Sequence, residues 1–225
     1  MQAGRRDALA LILIGFVGAC DTARGASSAS QTAAGSVRAD SIARARQDSI
    51  NRAQPGYIVD SARSIDEELA RFRVAIGGEP ATELLHASRS RNELVRRLVH
   101  AVSSQDTSAM REMILTAREF ADLVYPTSPY THPPYAQAPG FVWAQIVQPS
   151  ASGFRRLMRR RGGIAFSYID HACNAPPERQ GHNTIWTGCT VRVRAPDGDT
   201  TTQRWFGSII ERGGRFKFVS YTNQF

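Results

Sequence analysis

The apolar pattern of this chain changes period once, at Gly162-Gly163, and no other feature restricts its fold as strongly. On the N-terminal side apolar residues recur every three or four positions, which puts them on one face of a helix. On the C-terminal side they alternate, as in a strand with one buried face. Ser64 with Glu67 makes a capping box, and Ile65, Leu69, Phe72 and Ile76 follow at helical spacing until Gly77, Gly78 and Pro80 end the segment. Ser90 and Glu93 repeat the signal ahead of the stripe Leu94, Val95, Leu98, Val99 and Val102. Asp106 caps a shorter segment with Met110, Met113 and Ile114. Thr116 and Glu119 cap another with Phe120, Leu123 and Val124, stopped by Pro126. Residues 141–148 fit a helix start or a short strand, and residues 153–161 a helix with Phe154, Leu157 and Met158 facing inward. Strands are expected over residues 164–171, 184–194, 201–211 and 215–221, with Asp197-Gly198 and Gly213-Gly214 as hairpin turns. Helices first and a meander after predict an α+β class, with N-terminal helices packed on one curved antiparallel sheet.

The apolar residues are also unevenly spread. Residues 21–56 are rich in Ala, Ser, Arg, Gln and Gly, and Val37, Ile42 and Ile50 are their only aliphatic side chains larger than Ala. Such a stretch buries too little surface to offset the entropy of ordering it, so a flexible tether is expected. An eight-residue echo within it, Asp40-Ser41-Ile42 and Asp48-Ser49-Ile50, is compatible with a fraying helix. Ahead of the tether, Arg5 and Arg6 precede an apolar run over residues 8–17. This is the anatomy of an export signal, and the run is shorter than the roughly 20 residues that span a bilayer.

Val17-Gly18-Ala19-Cys20 closes that run. The tetrapeptide resembles the lipobox of bacterial lipoproteins, in which an aliphatic and two small residues precede the Cys that is diacylated and begins the mature chain. The resemblance implies a signal peptide over residues 1–19, a lipidated Cys20 with its linker over 20–56, and a folded domain over 57–225. It also implies an extracytoplasmic protein whose partner is the membrane, reached through its N-terminal lipid. An ordinary secretory signal with a Cys near its cleavage site is the alternative, and it leads to the same compartment. Asp21 is similar to an inner-membrane retention signal of enteric bacteria, a rule that differs among bacterial groups, so inner and outer membrane both stay open.

With Cys20 assigned to lipid, Cys173 and Cys189 remain, an even number in an oxidising compartment, and a disulfide between them is expected. Strand alternation puts Ile185, Thr187, Cys189, Val191 and Val193 on one face, and Ile169, His171 and Cys173 on one face of the neighbouring segment. Two buried free thiols are the alternative. The formal net charge of +8 raises nucleic acid as a partner. Scattered arginines, without zinc-ligand spacing or interleaved aromatics, argue against it. His86, His100, His132 and His182 are too dispersed for a metal site, and no cofactor is expected. The segment 125–140 holds five Pro and three Tyr, either a recognition segment or a flap over one end of the core. Arg155, Arg156, Arg159, Arg160 and Arg161 form either a solvated helix face or a surface for anionic lipid or ligand.

Two segments carry a second resemblance: ELVRRLVHAVSSQDTSAMREMI at residues 93–114, a helix stepping through Asp-Thr into a shorter one, and the terminal hairpin WFGSIIERGGRFKFVSY at residues 205–221. In these, residues 90–225 resemble the cone-shaped nuclear transport factor 2-like superfamily, which includes ketosteroid isomerases and polyketide cyclases. The resemblance implies a pocket between helices and sheet, with Trp143, Phe166, Tyr168 and Trp205 as wall residues. Asp170, His171 and Tyr125 are the candidates for proton transfer. Regular alternation places Asp170 with Phe166 and Tyr168, and His171 with Cys173, so Asp170 and His171 share a pocket only if a bulge intervenes.

Three functions fit this reading. One is a membrane-anchored, non-catalytic module that binds a small apolar ligand or a partner. The others are an isomerase, dehydratase or cyclase, and an envelope protein-interaction module. A ring-lined cavity with a buried acid favours the enzyme, an apolar cavity lacking acid or base favours the binder, and an interior filled by its own side chains favours the interaction protein.

Overall fold

A computed structural model describes residues 38, 40–47, 49–50, 53 and 63–225. The signal segment, Cys20 and most of the expected tether lie outside the described residues. The chain divides into two units, Met1–Ser61 and Ala62–Phe225. In the first, the described residues from 38 to 50 are helical, with Ile42 and Ile50 exposed.

The second unit opens with α1 (Ile65–Ile76), whose Ser64–Glu67 capping box forms as the sequence predicts. In α2 (Arg91–Ser103) the whole expected stripe, Leu94, Val95, Leu98, Val99 and Val102, is buried. Asp106 caps α3 (Thr107–Glu112), and Thr116 caps α4 (Ala117–Glu119), which runs directly into a π-helical turn over Phe120–Val124. The Pro-rich segment then folds into two 3-10 turns, Tyr125–Thr127 and Pro129–Thr131.

Pro139 occupies the start of α5 (Pro139–Arg161), where its missing N–H costs no hydrogen bond. The two apolar stretches 141–148 and 153–161 are one continuous helix of 23 residues, carried through the internal Pro149. No strand forms there. Gly153 lets α5 lie against the C-terminal segment: a Cβ at this position would stand 1.9 Å from the carbonyl oxygen of Tyr221.

Among the described residues seven strands build two antiparallel sheets, where the sequence reading has one curved sheet. The first has the order β1 (Ser167–Cys173), β4 (Cys189–Arg194), β5 (Thr200–Gln203). The second has the order β2 (Glu178–Gln180), β3 (Asn183–Trp186), β6 (Ile209–Arg212), β7 (Arg215–Phe218). The expected strands 184–194 and 201–211 each divide into two. Gly188, at φ 64°, turns the chain out of β3 and into β4, and residues 204–208 carry it from β5 to β6. Ile185 therefore belongs to one sheet, and Cys189, Val191 and Val193 to the other. The two glycine turns join β4 to β5 and β6 to β7 as expected.

Cys173 and Cys189 stand opposite each other on β1 and β4 with sulfurs 2.04 Å apart. A bond there closes a loop of 16 residues in sequence separation that carries β2 and β3. In the chain-entropy account a loop of that length adds about 3 kcal/mol.

One core cluster packs α2, α3 and the second half of α5 on Cys189, Val191, Val193, Trp205, Phe206 and Phe218. The other gathers Leu84, Phe120, Tyr125, Val142 and Ile210 beneath α1. Between the carboxylate that caps α4 and the last strand lies a buried ion pair. Glu119 and Lys217 are each 1% exposed, with Nζ 3.0 and 2.9 Å from the two carboxylate oxygens.

Candidate functional site

β1 carries a bulge between Tyr168 and Asp170 that leaves Ile169 without a partner. One extra residue reverses the alternation beyond it. Tyr168, opposite Val193, and His171, opposite Val191, consequently share the inner face with Cys173, while Asp170 faces out beside Arg192. Regular alternation puts Tyr168 with Asp170; the bulge separates them. The Asp170 carboxylate is about half exposed (51%) and is paired with the Arg192 guanidinium. Asp170 and His171 thus lie on opposite faces of the sheet and share no cavity.

The Tyr168 hydroxyl lies 2.6 Å from Asn92 Oδ1 and 2.9 Å from His171 Nδ1. A hydroxyl has one proton. Donating it to Asn92, it accepts from His171, which fixes the tautomer with hydrogen on Nδ1 and the lone pair on Nε2. Burial, with a smaller contribution from the Arg91 charge, holds His171 below the usual imidazole range. Burial likewise raises the Tyr168 hydroxyl, so that the phenol stays protonated near neutrality.

The remaining candidates are packed into the core. Tyr125 is fully buried against Phe120, its hydroxyl donates to the Gln137 carbonyl oxygen at 2.5 Å, and burial raises its pKa. Trp143 packs on Phe120 at 5.2 Å between centroids, and Phe166 meets Trp205 edge-on at 5.2 Å. Trp205 and Phe206 are wholly buried. Of the four residues that the resemblance implies as pocket walls, Trp205 is wholly buried, and Trp143, Phe166 and Tyr168 are partly buried and packed against the two core clusters.

A concave site lies elsewhere, on the surface between α3 and α5. It is a groove of about 340 Å³, floored by Ile114, Val147, Ala151, Phe154 and Tyr221 and flanked by the exposed Arg111 and Arg155. Its size is at the small end of the roughly 300–1,000 Å³ typical of ligand sites. No acid lines it. Ser150, also at the groove, accepts from the Tyr221 backbone N–H at 3.0 Å, and the Tyr221 hydroxyl donates to the Met110 carbonyl oxygen. Burial drives the Tyr221 phenol far above its usual range, so it offers neither acid nor base near neutrality. Chemically the groove can hold apolar surface and attract negative charge at its rim.

Of the groove residues, Arg155 alone is among the sequence candidates, as a member of the arginine cluster. Val147, Ala151 and Arg155 follow at intervals of four, a helical stripe that emerges once 141–148 and 153–161 form one helix. Of the arginine cluster, Arg155 flanks the groove and Arg156 donates to the backbone and side-chain oxygens of Asn223. Arg160 and Arg161 lie over the Phe225 ring.

Among the described residues no group of three or more His, Cys, Asp or Glu side chains is placed to hold a metal ion. No described helix is both long and apolar enough to cross a membrane. Fold and groove thus define a class in structural terms, an α+β domain with two antiparallel sheets and a basic-rimmed apolar groove. Comparison with family models, with curated proteins and with solved structures found no match to the chain.

Proposed function

We propose that this protein is a bacterial lipoprotein tethered outside the cytoplasm through Cys20, whose domain binds a small amphiphile, an apolar body with an anionic end, without transforming it. The export signal and the Val17-Gly18-Ala19-Cys20 lipobox support the anchor. The nuclear transport factor 2-like resemblance supports a cone-like arrangement of helices around the sheets. The observation that carries the binding reading is the groove itself: five apolar or ring-bearing floor residues, Arg111 and Arg155 at the rim, and no carboxylate among them. An apolar chain loses water on that floor while its charged end meets the two guanidiniums. The enzyme reading has less support, because Tyr125 is locked in the core and Asp170 is paired with Arg192 on the outer face.

Dodecanoate titrated into the purified chain, followed by displacement of a fluorescent fatty acid, tests this. Saturable binding is expected. Ala151→Trp fills the floor and abolishes it, and Arg111→Gln with Arg155→Gln weakens it about fivefold, as exposed charge contacts of up to ~1 kcal/mol allow. Equal binding by parent and Ala151→Trp refutes the assignment to this groove.

A further inference from the structure

Arg91 and Arg96, both on α2, flank the Tyr168–His171 pair. Arg91 Cζ lies 4.8 Å from the centre of the Trp186 ring, and Arg96 Cζ 5.3 Å from that of Tyr168. Guanidiniums laid on ring faces are held in place with their N–H edges free to meet an anion. Among the described residues neither arginine has an ion-pair partner within reach. The nearby acids are engaged elsewhere. Asp170 pairs with Arg192 on the outer face, and the Glu93 carboxylate accepts from the Arg89 backbone N–H at the start of α2. Tyr168 occupies Nδ1 of His171, and no hydrogen bond reaches Nε2 among the described residues.

From this arrangement we infer that Arg91, Arg96 and His171 form a binding site for a phosphoryl group. The cluster holds cation-capable groups without a counter-charge on their own face. A tetrahedral phosphoryl group directs its oxygens to separate points in space and so matches donors that lie at separate points, where a carboxylate holds its acceptor sites in one plane. His171 joins the site by taking a proton on Nε2, and the anion favours that proton by offsetting the Arg91 charge, so binding strengthens as pH falls. The groups facing His171 are Tyr168 on its own strand, and Arg91 and Asn92 on α2. Asp170 acts on it from the outer face, where it is paired with Arg192.

The test is ring-nitrogen NMR of His171 in the full chain, titrated with inorganic sulfate against chloride of equal ionic strength. Sulfate keeps its charge across the range in which histidine titrates. A higher His171 pKa in sulfate is expected, together with sulfate binding about tenfold weaker in the Arg91→Gln/Arg96→Gln double variant. Tyr168→Phe should keep the sulfate effect while moving the Nδ1 resonance, which separates binding from ring positioning. Glycerol phosphate and phosphatidylglycerol-doped phosphatidylcholine vesicles distinguish the sources of the phosphoryl group. The inference stands if the soluble ester perturbs His171, identifying a free phosphate ester, or if only the vesicles do, identifying a lipid headgroup. It falls if sulfate and chloride act alike, or if the sulfate effect survives loss of both arginines.

Discussion

The Glu119–Lys217 pair gives the sharpest stability test. The Glu119 carboxylate accepts from the Leu85 N–H at 2.7 Å, the Thr116 N–H at 2.8 Å, the Thr116 hydroxyl at 3.0 Å and Lys217 Nζ at 3.0 and 2.9 Å. Lys217→Met removes the only cation from this set and leaves a buried carboxylate with three neutral donors. Breaking a buried pair from one side costs about 3–5 kcal/mol. For a unit the size of Ala62–Phe225, where each kcal/mol moves the melting temperature by roughly 2–4 °C, the fall should be about 6–20 °C. The companion variant Glu119→Gln/Lys217→Met removes both charges. Its amide NH2 must then face donors that the carboxylate accepted from, a mismatch of about 1–3 kcal/mol. The double variant is therefore expected to be more stable than Lys217→Met alone. Urea unfolding at neutral pH, followed by circular dichroism with an unchanged denaturant slope, measures both. A loss below ~1 kcal/mol in Lys217→Met would refute the reasoning, because it would mean that Glu119 is not held as a buried anion.

Gly153→Ala should destabilise the domain by at least the roughly 1–3 kcal/mol of an overpacked core, since the new Cβ meets backbone at 1.9 Å. Thermal unfolding checks it, and a midpoint equal to the parent's would contradict the close approach of α5 to Tyr221. His171 supplies a pH test. Its folded pKa lies below the ordinary 6.5, so as acid is added the unfolded chain takes the proton first. The stability this group contributes is whole above about 6.5 and is lost as pH falls through that value toward the folded pKa. The stability difference between parent and His171→Gln should therefore shrink in favour of the variant between about pH 7.5 and about pH 5.5, and a pH-independent difference would count against it.

What could be read from the sequence is what local chemistry decides. Ser64 with Glu67, Ser90 with Glu93 and Thr116 with Glu119 each satisfy N–H groups within four residues of themselves, and the helix starts fall where those residues stand. Asp197-Gly198 and Gly213-Gly214 likewise act within their own turns. The misreadings arise where one residue interrupts a continuous pattern. Gly188 sits inside an alternation that runs on through it, so two strands of different sheets look like one. Pro149 and Gly153 look like breaks, although α5 continues and Gly153 serves a contact with Tyr221 more than sixty residues away in sequence. Ile169 carries no mark of a bulge, yet it decides which residues His171 meets. Glu119 was legible as a cap, but its second role depends on Lys217, 98 residues further on.

The same bulge bears on what chemistry the domain can support. Without it, Asp170 would lie on the Tyr168 face and His171 on the other, and a carboxylate would sit among the rings of the core at a large desolvation cost. With it, the carboxylate goes to solvent beside Arg192, and a neutral imidazole takes the half-buried place next to a phenol. The fold thereby keeps an aspartate out of its interior and leaves the inner face of β1 with hydrogen-bond donors and no anion. Arg91 and Arg96 reinforce that imbalance from α2, as Arg111 and Arg155 do at the groove. Both surfaces supply fixed positive charge beside apolar or aromatic surface, an arrangement that attracts an anion.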